Sequence, residues 1–146
     1  MVELRPVTRD NIDSLLALSV RDDQRGFVSA VSESLAQAYV YSETAYPFAV
    51  YSDGALAGFI MMAYYEVKGY YTLWKFLIDK EYQNKGIGRQ ALEQGIAFLR
   101  ERFGVTEVYT GVVPENAAAK HLYGSVGFSF TGVYEFGMEE WKLQIR

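Results

Sequence analysis

The chain contains no cysteine and a single histidine, His121. Without thiols there is no disulfide framework, no cysteine nucleophile and no cysteine-based metal site, so no metal is expected. No apolar run approaches the ~20 residues of a membrane span, and no membrane partner is expected. The opening Met1-Val2-Glu3-Leu4-Arg5-Pro6 lacks the basic-then-apolar layout of a signal peptide, so a cytoplasmic location is expected. Repeats, linkers and low-complexity tracts are missing. No string matches the Walker pattern Gly-x-x-x-x-Gly-Lys-Ser/Thr, and a dinucleotide fingerprint needs a third glycine in an early βαβ unit. A net charge of −4 without a basic stripe argues against nucleic acid as a partner.

What is present is one domain's worth of chain, 146 residues with half of them apolar, read as a single domain over 1–146. Its charges are unevenly spread. Residues 10–43 carry six carboxylates, among them Asp22, Asp23, Glu33 and Glu43, against two arginines. Residues 82–103 carry Lys85, Arg89, Arg100 and Arg102 against two glutamates. The first region suits a cation and the second an anion.

Leu4 to Val7 reads as an edge strand, where Pro6 is tolerable. Thr8 or Asp10 can cap a first helix that buries Ile12, Leu15, Leu16 and Leu18, and a second helix is expected from about Val28 to Tyr39. Phe48–Tyr51 and Leu56–Met62 flank the turn signal Asp53-Gly54 and predict a hairpin. A third antiparallel strand is expected over Thr72–Asp79. Ile87, Ala91, Leu92, Ile96, Leu99 and Phe103 then recur at helical spacing, and the crossover makes Glu107–Val113 a strand parallel to the one before it. Pro114-Glu115-Asn116 opens a short helix that closes at Gly127-Phe128, and Ser129–Tyr134 with Met138–Leu143 form a last hairpin. The fold class is α+β, a mostly antiparallel mixed sheet of six to seven strands flanked by about four helices.

The stretch Tyr82-Gln83-Asn84-Lys85-Gly86-Ile87-Gly88-Arg89 joins a strand, a glycine-bearing turn and a helix start. Such a junction offers unpaired N–H groups and the positive end of a helix dipole, and glycine lets a ligand approach the main chain. A phosphate is the expected occupant.

The order of elements and two motifs resemble the GCN5-related N-acetyltransferase family over nearly the whole chain. The first motif, Gln/Arg-x-x-Gly-x-Gly/Ala after the fourth strand, stands here as Gln83-Asn84-Lys85-Gly86-Ile87-Gly88. The second comprises Asn116, Ala118 or Ala119, Leu122-Tyr123 and Gly127-Phe128, about thirty residues further on. Within the family, Trp74-Lys75-Phe76-Leu77-Ile78-Asp79, Tyr82-Gln83 and the two leading helices resemble the bacterial spermine/spermidine (diamine) acetyltransferases.

The resemblance implies acetyl-coenzyme A as donor and a parallel strand pair that splays. The pyrophosphate is expected on the N–H groups from Gln83 to Arg89, and the pantetheine arm on the backbone of Phe76, Leu77 and Ile78. Asn116, Ala119 and Lys120 are expected to complete the cofactor site, with Asn116 equally suited to a helix N-cap. A backbone N–H near Leu77 or Ile78 would steady the oxyanion, and Tyr123 would protonate the departing thiolate. Many relatives carry a carboxylate on the fourth strand where this chain has Trp74, which leaves Glu33, Glu43 and Glu66 as bases acting through water. His121 is expected to be near the cofactor or inert.

The acidic helices point to a polycationic amine as acceptor, most simply a polyamine such as spermine or spermidine, acetylated by direct transfer. Asp22, Asp23, Glu33 and Glu43 would bind its distal ammonium groups, and Phe27, Tyr39, Tyr46 and Trp74 could cover its methylenes. Two alternatives stand beside this reading. The acceptor could be an aminoglycoside, an amino acid, a peptide or a protein, or the chain could be a non-catalytic acyl-coenzyme A-binding regulatory module. A homodimer is expected, through a surface carrying Tyr134, Phe136 and Trp141.

Overall fold

A computed structural model describes residues 1–145. The order is β1 (Val2–Arg5), α1 (Ile12–Leu16), α2 (Val31–Val40), β2 (Ala45–Ser52), β3 (Ala55–Tyr65), β4 (Tyr70–Ile78), α3 (Ile87–Phe103), β5 (Glu107–Val112), α4 (Ala117–Val126), β6 (Ser129–Glu135) and β7 (Met138–Gln144). Seven strands form one sheet in the order β1-β2-β3-β4-β5-β7-β6. Every adjacent pair is antiparallel except β4 with β5. The expected mixed sheet, four helices and parallel pair are all present. Among the described residues no helix is long and apolar enough to cross a membrane.

β3 lies inside the sheet and is buried from Ala57 to Ala63, since helices cover both of its faces. Phe59 and Met61 point into a core with Leu15, Val31 and Leu77, under α1 and α2. Ile60 and Met62 point the other way, against Leu92, Ile96 and Leu99 of α3. Each such fully buried aliphatic side chain stabilises the fold by roughly 1.5–3 kcal/mol relative to exposure.

Several boundaries differ from expectation. β1 occupies Val2–Arg5 instead of Leu4–Val7, because its ladder to β2 ends at Arg5, just before Pro6, which has no N–H to donate. α1 is a single short turn, and Leu16 is 49% exposed while Leu15 is fully buried. Neither Thr8 nor Asp10 caps it. Asn11 precedes it instead, accepting the Thr8 N–H at 2.8 Å and donating to the Pro6 carbonyl at 3.0 Å. α2 begins at Val31, three residues later than expected. Tyr46 packs on Phe98 and Phe103 of the α3 face, and Tyr39 on α2 is 85% exposed.

Candidate active site

β4 and β5 share only two pairings, Thr72 with Tyr109 and Leu73 with Thr110. The cause is local. Met61 of β3 pairs with Lys75 and Met62 with Leu73, which leaves Trp74 as an extra residue in β4. Such a bulge bends its strand and increases its twist. Two hydroxyls tie off the last rungs: Thr72 donates to the Tyr109 carbonyl at 2.9 Å, and Thr110 donates to the Leu73 carbonyl at 3.1 Å. Beyond that point the strands diverge around a cavity of about 780 Å³. Leu73 to Ile78 form one wall and Thr110 to Val113 the other.

One end of this cavity is the glycine turn. Gly86 takes φ +79° as the residue before α3, a left-handed conformation in which a side chain would be strained. Asn84 is also left-handed, at φ 62°. The turn delivers the first N–H groups of α3 to the cavity mouth, where no helical carbonyl can satisfy them. Gln83 is a strut. Its amide exchanges hydrogen bonds with Gln24 at 3.0 and 2.8 Å and donates to the Ile78 carbonyl at 2.9 Å.

Of the residues expected to hold a cofactor, Phe76, Leu77, Ile78, Gln83, Asn84, Gly86, Gly88, Arg89, Asn116, Ala119 and Tyr123 line this one cavity. Three do not. Ile87 is buried in the core, the Lys85 amine lies over the Tyr82 ring, and the Lys120 amine is paired with Glu139 at 3.0 Å. Asn116 both lines the cavity and caps α4, accepting the Ala119 N–H at 3.2 Å. His121 is also in the wall.

Tyr123 is 8% exposed and its phenol is pushed up to about 12 by burial, with the Thr110 hydroxyl pulling in the opposite direction. Thr110 was not anticipated. Its signal was a lone polar side chain on the buried side of β5, between Val108 and Val112. Lys75, next to the bulge, donates to the Ser29 hydroxyl at 2.8 Å. Burial draws its amine below the ordinary lysine value, with Glu33 opposing.

A second cavity, about 460 Å³, meets the first at Thr72, Trp74, Thr110, Gly111 and Met138. Its wall carries four carboxylates, Glu66, Glu135, Glu139 and Glu140, with the rings of Tyr41, Tyr70 and Trp74 among its aromatic lining. Tyr41 and Trp74 meet edge to face at 5.8 Å. The Trp141 indole N–H and then the Lys120 ammonium hold the Glu139 carboxyl below its ordinary value. Asp22, Asp23, Glu33 and Glu43 line neither cavity. Asp22 and Asp23 are exposed on a 3₁₀ turn and pair with Arg25 and Arg21 at 3.2 and 3.4 Å. Trp74 alone of the expected acceptor residues stands at the junction.

These features suit a long donor with a phosphorylated end. An extended amide-bearing arm could pair with the β4 main chain where β5 has moved away, and a pyrophosphate could sit on the N–H groups after Gly86. An added methyl at Gly88 would find only ordinary contacts at 3.6 Å, so the turn keeps space on its cavity side.

Known proteins agree. The model of the acetyltransferase (GNAT) family matches residues 12–128. A spermine/spermidine N(1)-acetyltransferase of Bacillus subtilis is 30% identical over 148 residues, covering 95% of each chain. Among solved structures, the PaiA N-acetyltransferase of Thermoplasma acidophilum in complex with coenzyme A superposes with a TM-score of 0.76 at 17% identity, covering 99% of each chain. The spermidine N-acetyltransferase of Vibrio cholerae in complex with coenzyme A and spermine also gives 0.76, at 18% identity over 98% of this chain and 95% of that one. With the splayed β4–β5 pair and the glycine turn, these matches make the chain a member of the acetyltransferase (GNAT) family, an N-acetyltransferase whose cofactor is acetyl-coenzyme A.

Proposed function

We propose that the acceptor is a primary amine of a linear polyamine of the spermine and spermidine class. The observation that carries this is the acidic, aromatic cavity meeting the donor cavity at Thr110 and Trp74. Four carboxylates attract ammonium groups, and aromatic rings cover methylenes while favouring cations at their faces. The Bacillus relative named for spermine and spermidine supports the same class.

When bound, acetyl-coenzyme A supplies a thioester-activated acetyl group. The chain's own part begins with orientation, the β4 main chain holding the donor and the second cavity holding the amine on its other side. N–H groups near Leu77 and Ile78 are the fixed dipoles for charge developing on the carbonyl oxygen. The amine must be neutral to attack. We assign the base role, through water, to Glu66, which lines the acidic cavity and has no ion pair among the described residues. Trp74 shapes the junction and removes no proton.

Tyr123 donates at the leaving sulfur. A phenol at about 12 keeps its proton at neutral pH. Full transfer to a free thiolate, whose ordinary value is near 8.5, would run uphill by roughly 5 kcal/mol. The phenol therefore acts as a hydrogen-bond donor, and its proton moves only as the attacking nitrogen releases its own.

The test is a free-thiol assay over spermine, spermidine, a diamine, an aminoglycoside, an amino acid and a peptide. The reading fails if the polyamines give no turnover above a protein-free control while another amine does. We also infer a homodimer through β6, which is exposed along all seven residues and presents Phe130, Val133 and Tyr134. Trp141 falls outside that surface, since it is half-buried and its indole donates to Glu139. Light scattering showing a monomer at micromolar concentration would exclude the dimer.

A further inference from the structure

Lys68 is a cation set among the carboxylates of the acidic cavity. Its amine lies 2.7 Å from Glu135 and 3.3 Å from Glu140, and Glu140 also accepts the Tyr70 hydroxyl at 3.3 Å and the Thr131 hydroxyl at 3.0 Å. Lys68 stands in the turn between β3 and β4, whereas Glu135 ends β6 and Glu140 lies on β7. One amine thus bridges the tips of two hairpins.

The cavity's charge shows what this bridge does. Glu139 is matched by Lys120, Glu135 and Glu140 share Lys68, and Glu66 has no ion-pair partner among the described residues. Two ammonium groups against four carboxylates leave a charge of −2 at neutral pH. An acceptor that brings three cationic centres is matched only if one internal ammonium yields its place, which takes the charge from −2 to −3. The Lys120 pair is the firmer one, since Glu139 is 10% exposed and is also held by the Trp141 indole at 3.0 Å. Lys68 reaches in from a surface turn to Glu140, which is 16% exposed, and to Glu135, which is 42% exposed, and the arm to Glu135 contributes little net stability.

We propose that Lys68 is a specificity-determining residue whose ammonium occupies the subsite that a distal ammonium of the acceptor takes at Glu135 and Glu140. This rests on the polyamine reading of the acidic cavity. A monoamine leaves Lys68 in place. A long polyamine substitutes its own cation, exchanging one ion pair for another while Lys68 swings out to water. The residue weakens long acceptors relative to short ones and sets their ratio.

The test compares Lys68→Met, Lys68→Arg and the natural protein in steady-state kinetics with spermine and with propylamine. At 0.15 M salt, charges more than about 8 Å away are screened, so a general rise in negative potential has little effect. Lys68→Met is expected to lower KM for spermine about tenfold, leaving kcat, KM for acetyl-coenzyme A and KM for propylamine unchanged. Lys68→Arg should behave as the natural protein. A purely structural bridge would instead raise KM for both amines and lower the melting temperature in Lys68→Met. If the natural protein acetylates spermine and Lys68→Met leaves that KM unchanged or higher, the subsite assignment is wrong and the polyamine reading stands. If the natural protein acetylates no polyamine, the reading falls and the assignment falls with it.

Discussion

The Thr110 hydroxyl donates to the Leu73 carbonyl at 3.1 Å, at the last rung between β4 and β5. The bond closes the apex of the cleft and also sets the hydroxyl beside the Tyr123 phenol, where it opposes the effect of burial. Thr110→Val keeps the shape and removes the donor. Stability should fall by about 0.5–1.5 kcal/mol, the net worth of an ordinary hydrogen bond, read as a lower urea midpoint. The Tyr123 titration should move further up, and an unchanged or lower value would contradict this assignment.

Tyr123→Phe should reduce kcat by about a hundredfold or more with little change in acceptor KM, as expected for a lost acid. It also carries a stability signature. The folded phenol stands at about 12 against an ordinary 10, so its contribution is complete below pH 10 and is lost as pH rises from 10 through 12. Over that window the natural protein should lose roughly 2–3 kcal/mol relative to Tyr123→Phe in urea unfolding. Parallel curves for the two proteins would rule the shift out.

Gly58→Ala probes the support of β4. A Cβ there would lie 2.5 Å from the Leu77 carbonyl oxygen and 2.8 Å from the Ile78 side chain. The backbone has to move, at a cost of about 1–3 kcal/mol or more. Since Leu77 and Ile78 line the cavity proposed for the donor, coenzyme A affinity by calorimetry should fall with stability. A variant with natural stability and affinity would show that β4 yields freely.

Gln37 lines the acidic cavity, and its side-chain oxygen is buried without a hydrogen-bond partner among the described residues. An unpaired buried acceptor costs about 1–3 kcal/mol, so Gln37→Leu should raise the melting temperature. If the amide turns to meet the amine, the same change should raise acceptor KM. A stabilised variant with unaltered KM would confine Gln37 to a structural role.

Glu140→Gln should raise KM for spermine severalfold and Glu66→Gln should also lower kcat, as expected for a lost base, whereas Asp22→Asn and Asp23→Asn should leave both within about twofold, because of these four only Glu66 and Glu140 line the acidic cavity. The opposite pattern would return the acceptor site to the early helical segment.

The donor half of the site was legible from the chain because its chemistry is local. A strand, two glycines and a helix start lie within a dozen residues, and local spacing alone puts N–H groups at a helix N-terminus. Asn116 could likewise be assigned as a cap, since a cap bonds within its own first turn. Runs such as Ile87 to Phe103 and Leu56 to Met62 determined their elements through periodicity, and the helical crossover determined the parallel pair.

The proposed acceptor half was decided by tertiary structure. Acidity counted along the chain pointed to Asp22, Asp23, Glu33 and Glu43, yet the carboxylates that meet are Glu66, from the β3–β4 turn, and three from the last hairpin. Tyr70 and Glu140, 70 residues apart, touch across β5, which lies between their strands in the sheet. Charge has no period in sequence, so clustering across strands cannot be read from spacing. The bulge at Trp74, the early end of the β4–β5 ladder and the Thr110–Leu73 bond belong to the same class. Each depends on how two distant strands align, and that alignment places the chemistry where the strands separate.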